Sequence, residues 1–294
     1  MSWAAHELES YFLQKHLKVK VSYLAILLGC LLPDLFTKLP VYGLEIGGHQ
    51  LFHASIPYKY HRGFPGVGFT HSLLFCVLFG LLVLAATRNR AWFVGLVVGG
   101  FAHVLTDMFD SVGTMVLFPF TSQHFSTGMW AYASQQGRYG DAAAYYSSLG
   151  GVWDFLWLCL ALLSFRVFSR EFFFETVVPN DPIWAWMRRK FRMSDRTMLA
   201  VYRAYFVYGG ARIFAWFGWA RLLNPERGRQ TLDWSWGGPR WAWPDPVNGT
   251  GPITAGSGSW LDVLWNVARG GVLWAAAIWL LWRFVARPLY ARAS

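Results

Sequence analysis

The chain has 294 residues, of which 55% are hydrophobic, 19% are aromatic and only 14% are charged. Charged residues make up about a quarter of an ordinary soluble domain, so this composition is typical of a membrane protein. The net charge of +10 lies in short clusters between apolar runs, with no basic face or recognition motif, which argues against a nucleic-acid partner. The three cysteines, Cys30, Cys76 and Cys159, have no CxxC spacing and predict neither a disulfide framework nor a thiolate metal site.

The sequence predicts an all-α fold, a polytopic membrane helical bundle with about six spanning helices and an N-terminal interfacial helix. Residues 2–17 are amphipathic and lack the apolar core of a signal peptide, so we expect this helix to lie along the membrane interface. Apolar runs that could cross a hydrocarbon core, or most of it, follow at residues 19–36, 71–88, 91–109, 152–170, 199–222 and 259–284.

These runs suggest three regions. Residues 1–170 predict a membrane-embedded helical domain, 171–198 a basic cytoplasmic linker and 199–294 a Trp-rich C-terminal membrane extension. If the helices alternate in direction, fifteen of the 26 Lys and Arg residues fall on one side, which the positive-inside rule assigns to the cytoplasm. The clusters are Lys15/Lys18/Lys20, Arg88/Arg90, Arg166/Arg170, Arg188/Arg189/Lys190/Arg192/Arg196 and Arg283/Arg287/Arg292. We expect the loops on the other side to form a cap.

Ionisable side chains interrupt the apolar runs at the end opposite these clusters. In GGFAHVLTDMFDSVGTMVLFPF, His103, Asp107 and Asp110 stand at i, i+4 and i+7, on one stripe of a helix. An imidazole and a carboxylate four residues apart converge on a point that suits zinc, manganese or iron. A buried His–Asp hydrogen-bonded pair explains the same spacing equally well. Small residues in the preceding turn would let a second helix approach, namely Gly99, Gly100 and Ala102.

A second motif is HRGFPGVGFTHSLL, residues 61–74. His61 and His71 bracket a Gly-rich loop, and Thr70 is placed to cap the helix that His71 opens. Arg62 offers a fixed cation for an anionic substrate.

A third motif is LLPDLF, in which Pro33 kinks or ends a helix and Asp34 is presented at its mouth. Taken alone, this motif is equally typical of an aspartate in a turn. Together the motifs carry more weight, because ionisable groups at membrane depth are costly and are usually functional or paired. Six candidates share one depth: His6, Asp34, His61, His71, His103 and Asp107.

The order of four motifs resembles the YdjM-like family of bacterial inner-membrane-associated metal-dependent hydrolases, also described as LexA-binding. The motifs are an N-terminal His, then LPD, then HRG…THSLL, then GGFAHVLTDMFDSVGTMVLFPF. The resemblance covers about residues 1–165, and the family is distantly similar to the helical zinc-dependent phospholipase C and nuclease folds. It implies one or two divalent ions, with zinc favoured over manganese or iron. The implied metal ligands are His6, Asp34, His71, His103 and Asp107, and the implied catalytic residues are Asp34, Arg62 and His61.

The chain departs from the family pattern at two places. Phe36 stands where the family's LPDxD motif has a second carboxylate, and FPGVG separates HRG from THS. Five other residues are candidate replacement ligands, although a surface position is favoured for the three histidines: Glu45, Asp110, His49, His53 and His124.

These observations predict a membrane-bound metal-dependent hydrolase that cleaves a lipid or other phosphoester with metal-activated water. Its site would face the periplasmic side of a bacterial inner membrane, in contact with membrane lipids. The alternative is an inactive family member that serves as an accessory subunit and binds membrane-protein partners through its Trp-rich C-terminal region. A transporter is disfavoured because the candidates lie at helix ends and no inverted repeat is visible.

Overall fold

The structure is a computed structural model that describes residues 2–17, 19, 21–55, 68–110, 112–130, 145–223, 232, 234, 236, 240–243, 254–257 and 260–293. It is mostly helical, as predicted. The α-helices longer than three residues are α1 (Trp3–His16), α2 (Tyr23–Tyr42), α3 (Leu73–Thr87), α4 (Arg90–Thr106), α5 (Leu149–Leu163), α6 (Pro182–Phe191), α7 (Asp195–Gly218), α8 (Trp260–Leu281) and α9 (Arg287–Arg292).

The fold is not purely helical, because the loops contain short strands. β1 (Leu44–Ile46) and β2 (His49–Phe52) form an antiparallel hairpin that turns at two glycines with positive φ. β3 (His124–Ser126) pairs with β4 (Arg240–Trp243), which pairs with β5 (Thr254–Ser257). The predicted cap therefore includes a small sheet that joins the loop after α4 to the segment after α7.

Helix α1 lies at the centre of the protein, and the prediction of an interfacial helix is wrong. Eight consecutive residues, 4–11, are buried, so every face of the helix is covered. It packs against α2, α5 and α7. Its polar residues face other polar groups: the Glu7 carboxylate lies 2.8 Å from the Arg212 guanidinium of α7. The same polar residues suit either a membrane surface or a polar core, and only the packing distinguishes the two.

Helices α2 and α4 approach closely through glycines, as the small residues around position 99 predicted. A Cβ atom added to Gly29 would lie 2.5 Å from the Leu96 carbonyl oxygen, and one added to Gly99 would meet the Ile26 carbonyl oxygen. Gly100 makes equal room for α3, because its Cβ would lie 2.6 Å from Cys76 Sγ. These contacts fix the position of α4 relative to α2 and α3.

One helix among the described residues, Arg90–Phe109, is both long and apolar enough to cross a membrane. Helices α3 and α5 are apolar but shorter, and the run predicted over 152–170 already ends as a helix at Leu163. Helix α7 has 24 residues, but three arginines and three tyrosines lie within it and lower its hydropathy. The structure thus supports a helical protein with one candidate span, and six crossings are not shown.

The residues after position 170 share a core with the N-terminal helices. Phe173, Met198 and Tyr202 are buried in the same apolar cluster as Leu8 and Tyr11 of α1. The division into three regions stays a prediction.

Candidate metal centre

Five side chains from separate segments meet at one end of the helical core. His6 comes from α1, Asp34 from α2, His103 from α4, His71 from the 3-10 turn before α3 and Asp107 from the 3-10 turn after α4. None is more than 3% exposed. All five proposed ligands are therefore adjacent and shielded from solvent.

Asp107 lies in the middle of the group. Its Oδ1 is 3.3 Å from His6 Nε2, and its Oδ2 is 3.3 Å from His103 Nε2 and 3.7 Å from His71 Nε2. The His6 and His103 rings stack with centroids 3.8 Å apart, so their Nε2 atoms point to the same region. One carboxylate thus faces three imidazoles.

Asp34 completes a second set of possible ligands. Its Oδ1 lies 3.6 Å from His71 Nε2. Two triads, His6–His103–Asp107 and Asp34–His71–His103, each place one nitrogen or oxygen per residue within 4.8 Å of the others. The two triads share His103, so the cluster offers donors for one ion or for two neighbouring ions.

These separations fit a shared cation. Zinc ligands lie about 2.1 Å from the ion, so two ligands at a tetrahedral angle are about 3.4 Å apart. The observed nitrogen–oxygen distances run from 3.3 to 3.7 Å. A direct charge-assisted hydrogen bond is shorter, at about 2.7–2.9 Å. The spacing of these atoms therefore matches that of co-ligands and is longer than that of a direct charge-assisted hydrogen bond.

The proton positions of the three imidazoles point the same way. His103 Nδ1 lies 2.6 Å from the Cys30 carbonyl oxygen, which only accepts, so Nδ1 carries the proton. His6 Nδ1 lies 3.3 Å from the Glu9 carboxylate, and His71 Nδ1 lies 3.3 Å from the Thr70 hydroxyl.

The Thr70 hydroxyl donates its own proton to the Pro33 carbonyl at 3.1 Å, so it accepts from His71. In each neutral ring the bare nitrogen is therefore Nε2, the atom that faces Asp107. Metal-binding histidines ordinarily have this outer partner on the other nitrogen.

The charge on Asp34 is compensated at the edge of the cluster. Its Oδ2 accepts a hydrogen bond from the Trp3 indole and lies 2.9 Å from Lys38 Nζ. Lys38 is one-third exposed, so it connects the buried carboxylate with the protein surface. The other oxygen of Asp34 stays directed at His71.

Opposing effects act on His6. Burial is the largest and lowers its pKa, but the Asp107 and Glu9 carboxylates together raise the pKa to about 9. Without an ion, the two carboxylates therefore favour the protonated form of His6. Because a ligand nitrogen must lose its proton, ion binding at this centre competes with protons.

Several predicted positions differ in the structure. Helix α4 gives way to a 3-10 turn at Asp107, so Asp110 leaves the helical stripe and instead accepts hydrogen bonds from the Val112 and Gly113 amides. Ser72, and not Thr70, caps helix α3, which frees Thr70 to hold His71.

Helix α2 does not end at Pro33 but continues to Tyr42. Asp34 therefore sits inside a helix and not at its mouth.

The replacement ligands do not join the cluster. Glu45, His49 and His53 are exposed, as the surface interpretation predicted for the two histidines. His124 is completely buried, against the prediction, because β3 carries it inward to the Val112 carbonyl at 3.2 Å. His61 and Arg62 lie outside the described residues.

The presence of Phe36 instead of a carboxylate does not take a ligand away from the cluster. Phe36 packs against Phe75 and Phe79 of α3 and is 46% exposed. Position 36 is two residues from Asp34, which places it on a different face of α2. A carboxylate there would not point at the centre.

The sequence interpretation missed the groups that hold the ligands, which include Glu9, Thr70, Trp3 and Lys38. Two of them had a local signal. Glu9 is at i+3 from His6, and Lys38 is at i+4 from Asp34. Both spacings bring side chains together on a helix.

Comparison with known proteins gives one match. A family model described as "YdjM inner membrane protein" matches residues 3–173, more than half of the chain. The matched range contains all five side chains of the cluster. Searches of curated proteins and of solved structures found no match.

Proposed function

The chain belongs to the YdjM inner membrane protein family, and from the geometry of its buried cluster we propose that it is a membrane-bound metal-dependent hydrolase. The reaction would cleave a phosphoester, with a lipid as the favoured substrate. The single observation that carries the proposal is the arrangement of three imidazoles. Each has its Nδ1 proton held by a protein acceptor and its Nε2 aimed at the Asp107 carboxylate.

The side chains of the cluster would act as the ligands of the ion. His6, His103 and Asp107 would hold one divalent cation, and Asp34 and His71 would extend the site to a second. The donor set of imidazole and carboxylate suits zinc first, with manganese or iron as alternatives. When bound, such a cation supplies Lewis acidity and lowers the pKa of water towards neutrality.

The protein's own groups would position the substrate. Lys38 stands at the edge of the cluster, beside Asp34, where its ammonium can attract a phosphate. Arg62 is proposed for the same task on its sequence position, and His61 as a further substrate contact. The buried walls would keep bulk water away from the reacting groups.

We further propose several membrane crossings, with the cluster on the periplasmic side. The family description names an inner membrane protein, and Arg90–Phe109 can cross. The 17 residues of α4 span about 25 Å. This length separates the arginines at its start from His103 and Asp107 at its end. A cytoplasmic position for the arginines would put the cluster near the outer leaflet, where lipid phosphates lie.

The test is hydrolysis by the full-length protein in detergent, after dialysis against zinc or manganese. We expect release of nitrophenol from bis(p-nitrophenyl) phosphate, or of headgroups from phospholipid micelles, and loss of this activity in Asp107→Asn. The matched control is His49→Ala, which removes an exposed imidazole. Equal rates for Asp107→Asn and the parent would refute the proposed chemistry.

A second candidate function is that of an accessory subunit without turnover. The observation that favours it is the apolar surface of α8, where Trp265 is 70% exposed and Trp279 is 60% exposed. Membrane lipids would cover this surface equally well. A parent protein that is well folded but binds no metal would favour the subunit.

A further inference from the structure

A cavity of about 600 Å³ lies at the opposite end of α4 from the metal centre. The turn between α3 and α4 forms one wall, and the end of α9 forms another. Among its lining residues are Arg88, Asn89, Arg90, Val94, Asn180 and Tyr290. The proposed hydrolase does not use this cavity, because about 25 Å of helix separates the two sites.

The cavity is positively charged. Arg88 and Arg90 both line it, and its described lining contains no carboxylate. Neither arginine forms an ion pair with any residue in the described part of the chain. Two guanidinium groups that line one cavity favour an anionic occupant.

Both arginines lie at the turn between the two helices, and an aromatic ring positions the second of them. Arg88 ends α3 in the left-handed conformation, with φ of +57°. The Arg90 guanidinium stacks 4.6 Å from the ring centroid of Tyr290, which belongs to α9. Such stacking fixes the plane of the guanidinium but leaves its N–H groups available to an acceptor.

The helix start adds to the same field. Helix α4 begins at Arg90, and the Asn89 side chain accepts from the Trp92 amide. The amides of Arg90 and Ala91 belong to the first turn, where no intrahelical acceptor exists. The positive end of the helix dipole therefore lies at the cavity, next to the arginines.

Beside the polar Thr87 and Asn180, the lining also has an apolar part, formed by Val19, Ala91, Val94 and Ala293. Free phosphate has no apolar surface to bury against these residues, whereas the glycerol and first acyl carbons of a lipid do. Arg90 is also the first residue of the helix that can cross the membrane.

We propose that this cavity binds the phosphate of an anionic phospholipid headgroup from the cytoplasmic leaflet, through Arg88 and Arg90. A bound headgroup would bridge the α3–α4 turn and the C-terminal helix α9. Lipid binding would thereby tie the segment beyond the matched family region to the part that carries the metal centre.

The test is lipid binding by the detergent-solubilised full-length protein, followed by native mass spectrometry with phosphatidylglycerol as the probe. A surface-exposed basic residue contributes about fivefold to anionic-lipid affinity. We therefore expect Arg88→Gln/Arg90→Gln to weaken binding about 30-fold, and Arg88→Gln alone about fivefold. Phosphatidylcholine should bind weakly to all variants.

The matched control is Arg166→Gln/Arg170→Gln. It removes the same charge from the same predicted side and includes an arginine stacked 5.8 Å from an aromatic ring, that of Phe174. Equal phosphatidylglycerol binding by the parent and by both arginine variants of the cavity would overturn the proposal. If millimolar inorganic phosphate displaced all of the bound phosphatidylglycerol, the cavity would be assigned to free phosphate, and the lipid would be overturned as its occupant. Arg88→Gln, at an exposed turn, gives the answer if the double variant does not fold.

Discussion

Replacing Gly99 by Ala should loosen the α2–α4 contact and, through it, the metal centre. The added methyl carbon would lie 2.8 Å from the Cys30 amide nitrogen and still closer to the Ile26 carbonyl oxygen. Van der Waals contact needs about 3.5 Å. Because both obstructing atoms belong to the backbone, no side-chain rotation relieves the overlap, and α2 would have to move by about 1 Å.

The net cost follows from two opposing contributions. Overpacking costs about 1–3 kcal/mol, and a backbone clash belongs at the upper end. Alanine regains about 1 kcal/mol over glycine within a helix. The free energy of unfolding should therefore fall by about 2 kcal/mol. The same movement displaces the Cys30 carbonyl, which lies 2.6 Å from His103 Nδ1, so metal affinity should fall about tenfold or more.

The assay is thermal unfolding in detergent, combined with metal affinity measured by competition with a chelator. Gly218→Ala is the matched control: it is also a helical glycine, but its Cβ would meet nothing within 4 Å. It should leave metal affinity unchanged and stability equal or slightly higher. If Gly99→Ala behaved like Gly218→Ala in both measurements, the close-packing argument would be refuted.

Three further substitutions test other parts of the account. Glu9→Gln should weaken metal binding about 10- to 100-fold with little loss of fold, because Glu9 orients His6 without pointing at the ion; unchanged affinity would contradict this. Arg212→Ala should lower the free energy of unfolding by about 2–3 kcal/mol, because it leaves the buried Glu7 carboxylate without its cation. Denaturant unfolding measures this loss, with Arg212→Lys, which keeps the charge, as the control. Burial raises the pKa of Asp181 from 3.8 to about 6, so the folded state binds a proton more tightly and stability should fall by about 3 kcal/mol as pH rises from about 4 to about 6. Asp181→Asn should flatten that pH dependence, and an unchanged slope would refute the assignment.

The sequence predicted that five side chains lie close together, because this prediction needs only helical spacing and the alternating direction of the helices. His103 and Asp107 are four residues apart, so a single helical turn brings them together. His6, Asp34 and His71 were expected nearby because alternating helices place their ends at one depth. The structure brings the five together, and their role as ligands stays a proposal.

Other features required the tertiary structure. The Cys30 carbonyl reaches His103 across 73 residues, and no residue type marks a carbonyl as an acceptor. The central place of α1 was missed for a related reason. Its buried Glu7, Glu9 and Ser10 form a polar pattern that resembles a membrane-surface helix until their partners are known. Local spacing identified the chemistry, and packing decided which face was inside.

The most direct test of the central claim is the metal content of the purified full-length protein, measured by mass spectrometry together with His103→Ala and Asp107→Ala. We predict one or two divalent ions per chain in the parent, none or nearly none in the two variants, and full retention in His49→Ala. A well-folded parent without metal after exposure to zinc, manganese and iron, or equal metal in the parent and in both variants, would contradict the account.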